Sequence, residues 1–254
     1  MVRRLSDYNE FLTAVLKSVT ENVEFRCSPP LSEIIKNPRL VVILNHATPL
    51  SWIPAIGLLT SEFVKAGGGD RKPLGIADKW LFSNPLTRPL AQYLTQCDRH
   101  LNFEELIEKF HSEDHADLAL MPEGANTFFG DNFQIQKFRS PKFIEIAVRS
   151  EAPLLIVVHK GTENWSLPLQ LPVEWAQYVL PFSQFFGQRL QNAEPINIPL
   201  IPHKIPRFAM ACELYRPDLK IADLNQDPVA RMVQLGEEAE KIRAVMNRLL
   251  DSFS

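Results

Sequence analysis

The chain has 254 residues, 45% apolar and 22% charged, which is enough to bury one sizeable core and is read as a single α/β domain over 1–254. A formal charge of -3 and a pI near 6.1 exclude a global pull toward nucleic acid or an anionic membrane, so any basic site must be local. Cys27, Cys97 and Cys212 have neither disulfide-framework nor zinc-ligand spacing, and no apolar run approaches the roughly 20 residues of a membrane span.

Residues 5–19 set Leu5, Tyr8, Phe11, Leu12, Val15, Leu16 and Val19 at helical spacing, which predicts an amphipathic helix. Arg3 and Arg4 before it suit lipid headgroups, although a helix packed on its own domain has the same pattern. Residues 27–39, with Pro29-Pro30, read as a connector, so 1–38 form an N-terminal helix and connector. Leu40-Val41-Val42-Ile43-Leu44 predicts a buried strand ending abruptly at Asn45-His46. A histidine at that point is well placed for catalysis beside a helix start; the same position also suits a ring that merely caps a loop. The following helix, 50–66, has two possible starts: Thr48 as cap with Pro49 first, or Ser51 as cap with Pro54 in the first turn. Gly67-Gly68-Gly69 ends it and is no phosphate cradle, because a helix precedes it and no Lys-Ser/Thr follows.

Next come a short strand at 72–77, a helix opened by Ser83-Asn84-Pro85, and a strand at 93–97 ending in Asp98-Arg99-His100. Asn102 and Glu105 form a capping box for a helix over 103–111. A strand at 117–121 ends in Pro122-Glu123-Gly124-Ala125-Asn126, a helix at 140–149 carries Phe143, Ile144, Ala147 and Val148 on one face, and 153–158 is a strand. Beyond His159-Lys160-Gly161 the pattern degrades into a mixed insert, 165–206, rich in proline and in aromatics such as Trp175, Tyr178, Phe182, Phe185 and Phe186. A strand at 208–214 and a last helix from Asp227-Pro228, carrying Val229, Met232, Val233, Ile242, Val245, Met246, Leu249 and Leu250, complete the chain. The alternation predicts a mostly parallel central sheet flanked by helices.

Three polar clusters therefore stand at predicted strand ends: Asn45-His46, Asp98-Arg99 and Pro122-Glu123-Gly124. A parallel sheet gathers such ends on one edge, so His46, Arg99 and Glu123 are expected to share a cleft suited to acid-base chemistry on an anionic substrate. His100, His111 and His115 have no metal-ligand spacing and are expected at the surface, and no metal site is predicted.

Asn45-His46, Ala77-Asp78-Lys79-Trp80-Leu81-Phe82 with Asn84-Pro85, Asp98-Arg99, Met121-Pro122-Glu123-Gly124, and Pro153-Leu154-Leu155-Ile156-Val157 with Gly161 resemble, in order and spacing, the sequence blocks of the glycerolipid acyltransferases typified by 1-acylglycerol-3-phosphate acyltransferases. The resemblance covers roughly 40–161. It implies an acyltransferase-like fold and transfer of a fatty acyl group from acyl-CoA or acyl carrier protein, as co-substrate and with no other cofactor, to a hydroxyl of a lysophospholipid or related glycerolipid. His46 would be the general base, with no acyl-enzyme. Arg99 would hold the acceptor phosphate, Glu123, Gly124 and Asn126 would shape the acceptor site, and Lys79 would support phosphates of donor or acceptor.

The departures are equally specific. Where the family has an aspartate five residues after the histidine, this chain has Ser51, which brings no charge to the dyad position. Losing the orienting carboxylate costs on the order of 10⁴ in rate in a serine-protease triad. The Thr-Arg that follows Pro-Glu-Gly in the family is here Ala125-Asn126, and Pro141 stands near the family's glycine after Phe138-Arg139. Three readings follow: an acyltransferase whose His46 is supported by another carboxylate such as Asp78 or Asp98, a non-catalytic lipid- or partner-binding protein of the same fold, and a Ser51-His46 esterase. The last lacks a Gly-x-Ser-x-Gly elbow. Without a membrane span, a glycerolipid enzyme would be cytoplasmic and would meet the inner face of a membrane peripherally, through the aromatics of 165–186 with or without the first helix.

Overall fold

Helices and strands alternate along most of the described chain. In chain order these are α1 (Leu5–Val19), β1 (Thr20–Ser28), α2 (Leu31–Ile34), β2 (Arg39–Leu44), α3 (Trp52–Lys65), β3 (Lys72–Gly75), α4 (Lys79–Ser83), α5 (Arg88–Thr95), α6 (Phe103–Ser112), β4 (Ala116–Leu120), α7 (Lys142–Arg149), β5 (Leu154–Lys160), β6 (Ser166–Leu169), β7 (Ile196–Pro199), β8 (Ile205–Tyr215) and α8 (Pro228–Asp251). The structure, a computed structural model, describes residues 2–77, 79–129, 134–170, 194–201 and 203–253, and for Trp80 and Ala125 the backbone alone. Asp78 and the aromatic stretch containing Trp175, Tyr178, Phe182, Phe185 and Phe186 lie outside the described residues.

Six strands form one mixed sheet in the order β1-β8-β5-β2-β4-β3. The pairs β5·β2, β2·β4 and β4·β3 are parallel, β8 runs antiparallel to β5, and β1 is parallel to β8. The mostly parallel α/β sheet expected from the sequence is thus present, and β6 pairs antiparallel with β7 in a separate ribbon. The run Val41 to Leu44 is apolar without alternation because both faces of β2 are covered. Val41 and Ile43 join a core with Ile107 and Phe110 of α6, Ile144 and Val148 of α7, and Ile242 and Met246 of α8. Leu40, Val42 and Leu44 face the other way, into a core with Leu5 and Leu16 of α1, Ile34 of α2, and Ala55, Leu58 and Phe63 of α3.

The first helix packs on its own domain. A Cβ at Gly57 of α3 would lie 3.0 Å from the Leu12 carbonyl oxygen and 3.2 Å from Leu16 Cβ, so the two helices approach closely only because that position is glycine. Asn102 and Asp227 cap α6 and α8 as the sequence suggests, with side-chain oxygens accepting from the backbone N–H of Glu105 and Ala230. Ser51 does occupy the cap position of α3, with Pro54 in the first turn, but its hydroxyl makes no capping bond.

Three expectations are corrected. Residues 93–97 are not a strand: α5 runs to Thr95 and ends at Gln96 in a left-handed conformation (φ 54°). Tyr93 and Thr95 have strand-like composition, but Ala91 and Thr95 are buried four residues apart on a helix face, and the helical period prevails. The helix expected from Ser83-Asn84-Pro85 begins later, because the Asn84 side chain instead accepts from the Leu86 N–H and closes a turn. The connector expected from 27 onward is preceded by β1, a sheet-edge strand whose charged, partly exposed residues hide its period. In it Cys27 stands beside Cys212 in register, and burial holds the Cys212 thiol well above its usual range.

Candidate active site

Because β5, β2, β4 and β3 run in the same direction, their C-terminal ends share one edge of the sheet. At the end of β2 the Asn45 N–H still donates to the Val157 carbonyl (3.2 Å), and its side chain extends the tie to β5. Its Oδ1 accepts from the His159 N–H (2.8 Å), its Nδ2 donates to the His159 carbonyl (3.1 Å), and its own carbonyl faces His159 Nε2 (3.0 Å). A carbonyl only accepts, so Nε2 of His159 carries the hydrogen and Nδ1 is the lone-pair nitrogen. The amide and imidazole lock β2 to β5 immediately before His46.

His46 is held by its backbone. Its N–H donates to Glu123 Oε1 (2.6 Å) and its carbonyl accepts from Thr127 Oγ1 (2.6 Å), so the loop after β4 grips the loop after β2. The ring has no part in that grip. Its Nδ1 faces the Gly124 carbonyl at 3.4 Å, a long contact, and the Pro49 carbonyl also faces the ring. Burial lowers the His46 pKa to about 4, with the Gly124 and Pro49 carbonyls acting weakly in the opposite direction. At neutral pH the ring is therefore an uncharged base. Gly124 reaches this position at φ +54°, where a side chain is strained.

Glu123 is almost fully buried, and burial raises its carboxyl to about 7 even though backbone N–H donors pull the other way. Both oxygens are engaged, Oε1 by His46 and Oε2 by the Gln136 N–H at 2.6 Å. It shapes the site by holding two loops together. No protein-family model matches this chain, and no curated protein does.

The other expected residues are distributed differently. Arg99 is exposed and forms a two-pronged pair with Glu105, 2.9 Å on each arm; a helix ending at Thr95, and not a strand, precedes it. Lys79 is exposed at the start of α4, Asp98 is exposed, and Asn126 spends its Nδ2 on the Lys137 carbonyl at 2.9 Å. Ser51 is fully buried and its Oγ has no hydrogen-bond partner, so it neither orients the His46 ring nor is activated by it. His100, His111 and His115 are exposed, and among the described residues no three His, Cys, Asp or Glu side chains gather as a metal site requires. A shallow groove of about 520 Å³ between α6 and α7, lined by Glu104, Ile107, Glu108, His111, Ser112 and Arg149, contains none of the expected site residues.

Sequence reasoning missed three contributors. His159 closes an apolar strand just as Asn45-His46 does, and that same signal was available. Thr127 gave no signal, since only the fold brings its hydroxyl to the His46 carbonyl. Arg139 is seen through Gly124, whose Cβ would lie 3.5 Å from the Arg139 Cδ.

Proposed function

We propose that this chain is an acyltransferase of glycerolipid type, moving a fatty acyl group from acyl-CoA or acyl carrier protein to a hydroxyl of a lysophospholipid or related glycerolipid. The observation that carries the reading is His46: an uncharged imidazole at the C-terminal edge of a parallel sheet, its Nδ1 turned to the Gly124 carbonyl and its loop held without the ring. In this reading the His46 ring takes the acceptor proton as the oxygen attacks the thioester carbonyl, and the thiol of the donor leaves. The order of the sequence blocks supports the same assignment, with the fold of that family. Lys79, exposed at the start of α4, is the expected cation that remains for donor or acceptor phosphates.

Peripheral membrane contact belongs to this proposal. No described helix is long and apolar enough to cross a membrane. Ile76 after β3, Leu167 and Leu169 in β6, and Leu200 after β7 are large apolar side chains left exposed, and they suit interfacial insertion. Trp165, by contrast, is 1% exposed and serves the core, so it drops out of any attachment surface.

A second reading, a non-catalytic lipid- or partner-binding protein, has its own observation. No described carboxylate contacts the His46 ring, and burial disfavours the imidazolium that base catalysis must form. Free-thiol release from acyl-CoA in the presence of lysophospholipid separates the two: acceptor-dependent release supports transfer, and none above background leaves the binding reading. Ester cleavage that depends on water alone would instead indicate a hydrolase.

A further inference from the structure

Among the described residues, the side-chain nitrogen and oxygen atoms that are buried without a hydrogen-bond partner are Thr48 Oγ1, Ser51 Oγ, His159 Nδ1, Thr162 Oγ1 and Trp165 Nε1. All five belong to the segments that follow or end β2 and β5, at the edge carrying His46, and each residue is at most 1% exposed. Buried polar groups are ordinarily paired, and an unmade bond costs about 1–3 kcal/mol. Five at one edge point to a bound polar group.

Three of the five, His159, Trp165 and Ser51, share a face. His159 follows Leu155 and Val157 in strand alternation, and its ring centroid lies 5.5 Å from that of Phe208, all three in the core beneath α1 and α3. Trp165 belongs to the same core. Ser51 stands one turn before Ala55 and two before Leu58, the residues α3 buries there.

Their chemistry is uncharged and directional. With its hydrogen on Nε2, His159 offers Nδ1 only as an acceptor, the indole of Trp165 only donates, and the three hydroxyls do either. An alcohol satisfies both kinds at once, giving its proton to an acceptor and its lone pairs to a donor. A phosphate dianion brings no proton for His159 and finds no cation among these five groups. Arg99, the cation expected to hold a phosphate, is bound to Glu105.

Resting on the reading of His46 as the base of acyl transfer, we propose that the acceptor is an uncharged, hydroxyl-bearing lipid of the monoacylglycerol or long-chain alcohol class. Its polar end is bound by Thr48, Ser51, His159, Thr162 and Trp165, over the core beneath α1 and α3.

The experiment follows the indole N–H resonance of Trp165 in the ¹⁵N-labelled full chain, assigned with Trp165→Phe, during titration with monoacylglycerol or with lysophosphatidate of the same chain length. Thioester consumption is measured with the same two acceptors. The expected result is a shift of the Trp165 signal by monoacylglycerol, about tenfold higher kcat/KM with it, and a Thr162→Val variant whose acceptor KM rises about tenfold at similar kcat. Equal or better use of lysophosphatidate overturns the inference while leaving acyl transfer standing. A Trp165 shift without turnover sinks the catalytic reading and keeps the uncharged site. An indole signal that neither lipid moves means these groups hold ordered water only, and the inference fails.

Discussion

The sheet buries polar side chains at both of its ends: at one the Arg71–Asp117 pair is saturated, and at the other Asn45 and Glu123 are paired while five further polar atoms are not. At the N-terminal end of β4, Arg71 is 1% exposed and Asp117 4%, yet the pair is saturated. Arg71 Nε and Nη2 reach the two Asp117 oxygens at 2.7 and 2.5 Å, and Nη1 donates to the carbonyls of Ile35 and Asn37 at 2.8 Å each. At the C-terminal end, five buried polar atoms have no described partner. Saturation marks a group whose work is to hold the chain together, here the start of β4 to the turn after α2. Unmet hydrogen-bonding capacity marks a place where something else is to be bound.

The sharpest way to test this contrast is to cut each end and see which property falls. His46→Ala should reduce acceptor-dependent thioester consumption by about 10²–10⁴ while shifting the urea midpoint little, because the loop is held by the His46 backbone. Undiminished activity in that variant would end the acid-base mechanism. Asp117→Ala should do the reverse, leaving a buried guanidinium unpaired at a cost of about 3–5 kcal/mol with activity per folded molecule retained. A cost below about 1 kcal/mol would show that the pair is not a structural tie.

Acid should attack the unsaturated end. His46 and His159 have folded pKa values of about 4 and about 3 against an ordinary 6.5, so in that window the unfolded chain binds more protons and stability rises with pH. Glu123, raised from 4.5 to about 7, holds a proton in the fold and opposes this, its contribution being lost as pH rises through 7. Two imidazoles against one carboxyl leave a net gain of about 1.4 kcal/mol per pH unit near pH 5, falling toward zero at pH 6.5, where the unfolded imidazoles are half deprotonated. Chemical denaturation across that range measures the slope, and His159→Gln should flatten it.

Smaller effects follow. Ser51→Asp places a carboxylate in a fully buried position and should cost about 1–3 kcal/mol. If it reaches the ring, NMR titration will show the His46 pKa rising above about 4 and turnover will increase; an unchanged pKa would mean that position 51 does not communicate with the base. Smallest of all should be Arg99→Ala, which removes an exposed, solvent-screened pair and should leave the urea midpoint unchanged. A tenfold rise in acceptor KM in that variant would return Arg99 to the site.

What the sequence made legible follows from how local each signal is. The run from Leu40 to Leu44 could be read as a strand because every residue is apolar, and the polar pair after it located the edge. Glu123 was found as a site residue for the same reason, but its work of accepting from His46 and Gln136 depends on loops 77 and 13 residues away. Arg99 was misplaced by one local ambiguity, since a five-residue stretch such as 93–97 fits a helix end as well as a strand. Cys27 and Cys212 were read apart because no local pattern reveals that β1 lies beside β8.

The strand order has a consequence for how this protein meets others of its kind. Both lateral margins of the sheet discourage an added strand. At one, β3 is four residues long and includes Pro73, which lacks an N–H to offer and whose carbonyl is taken by Gln96 Nε2 at 2.6 Å. At the other, β1 is longer, but Glu24 and Arg26 project charge from it and Glu24 is cross-linked to Arg207 of its neighbour. Self-association by sheet extension, the route toward fibrils, is thereby resisted on both flanks.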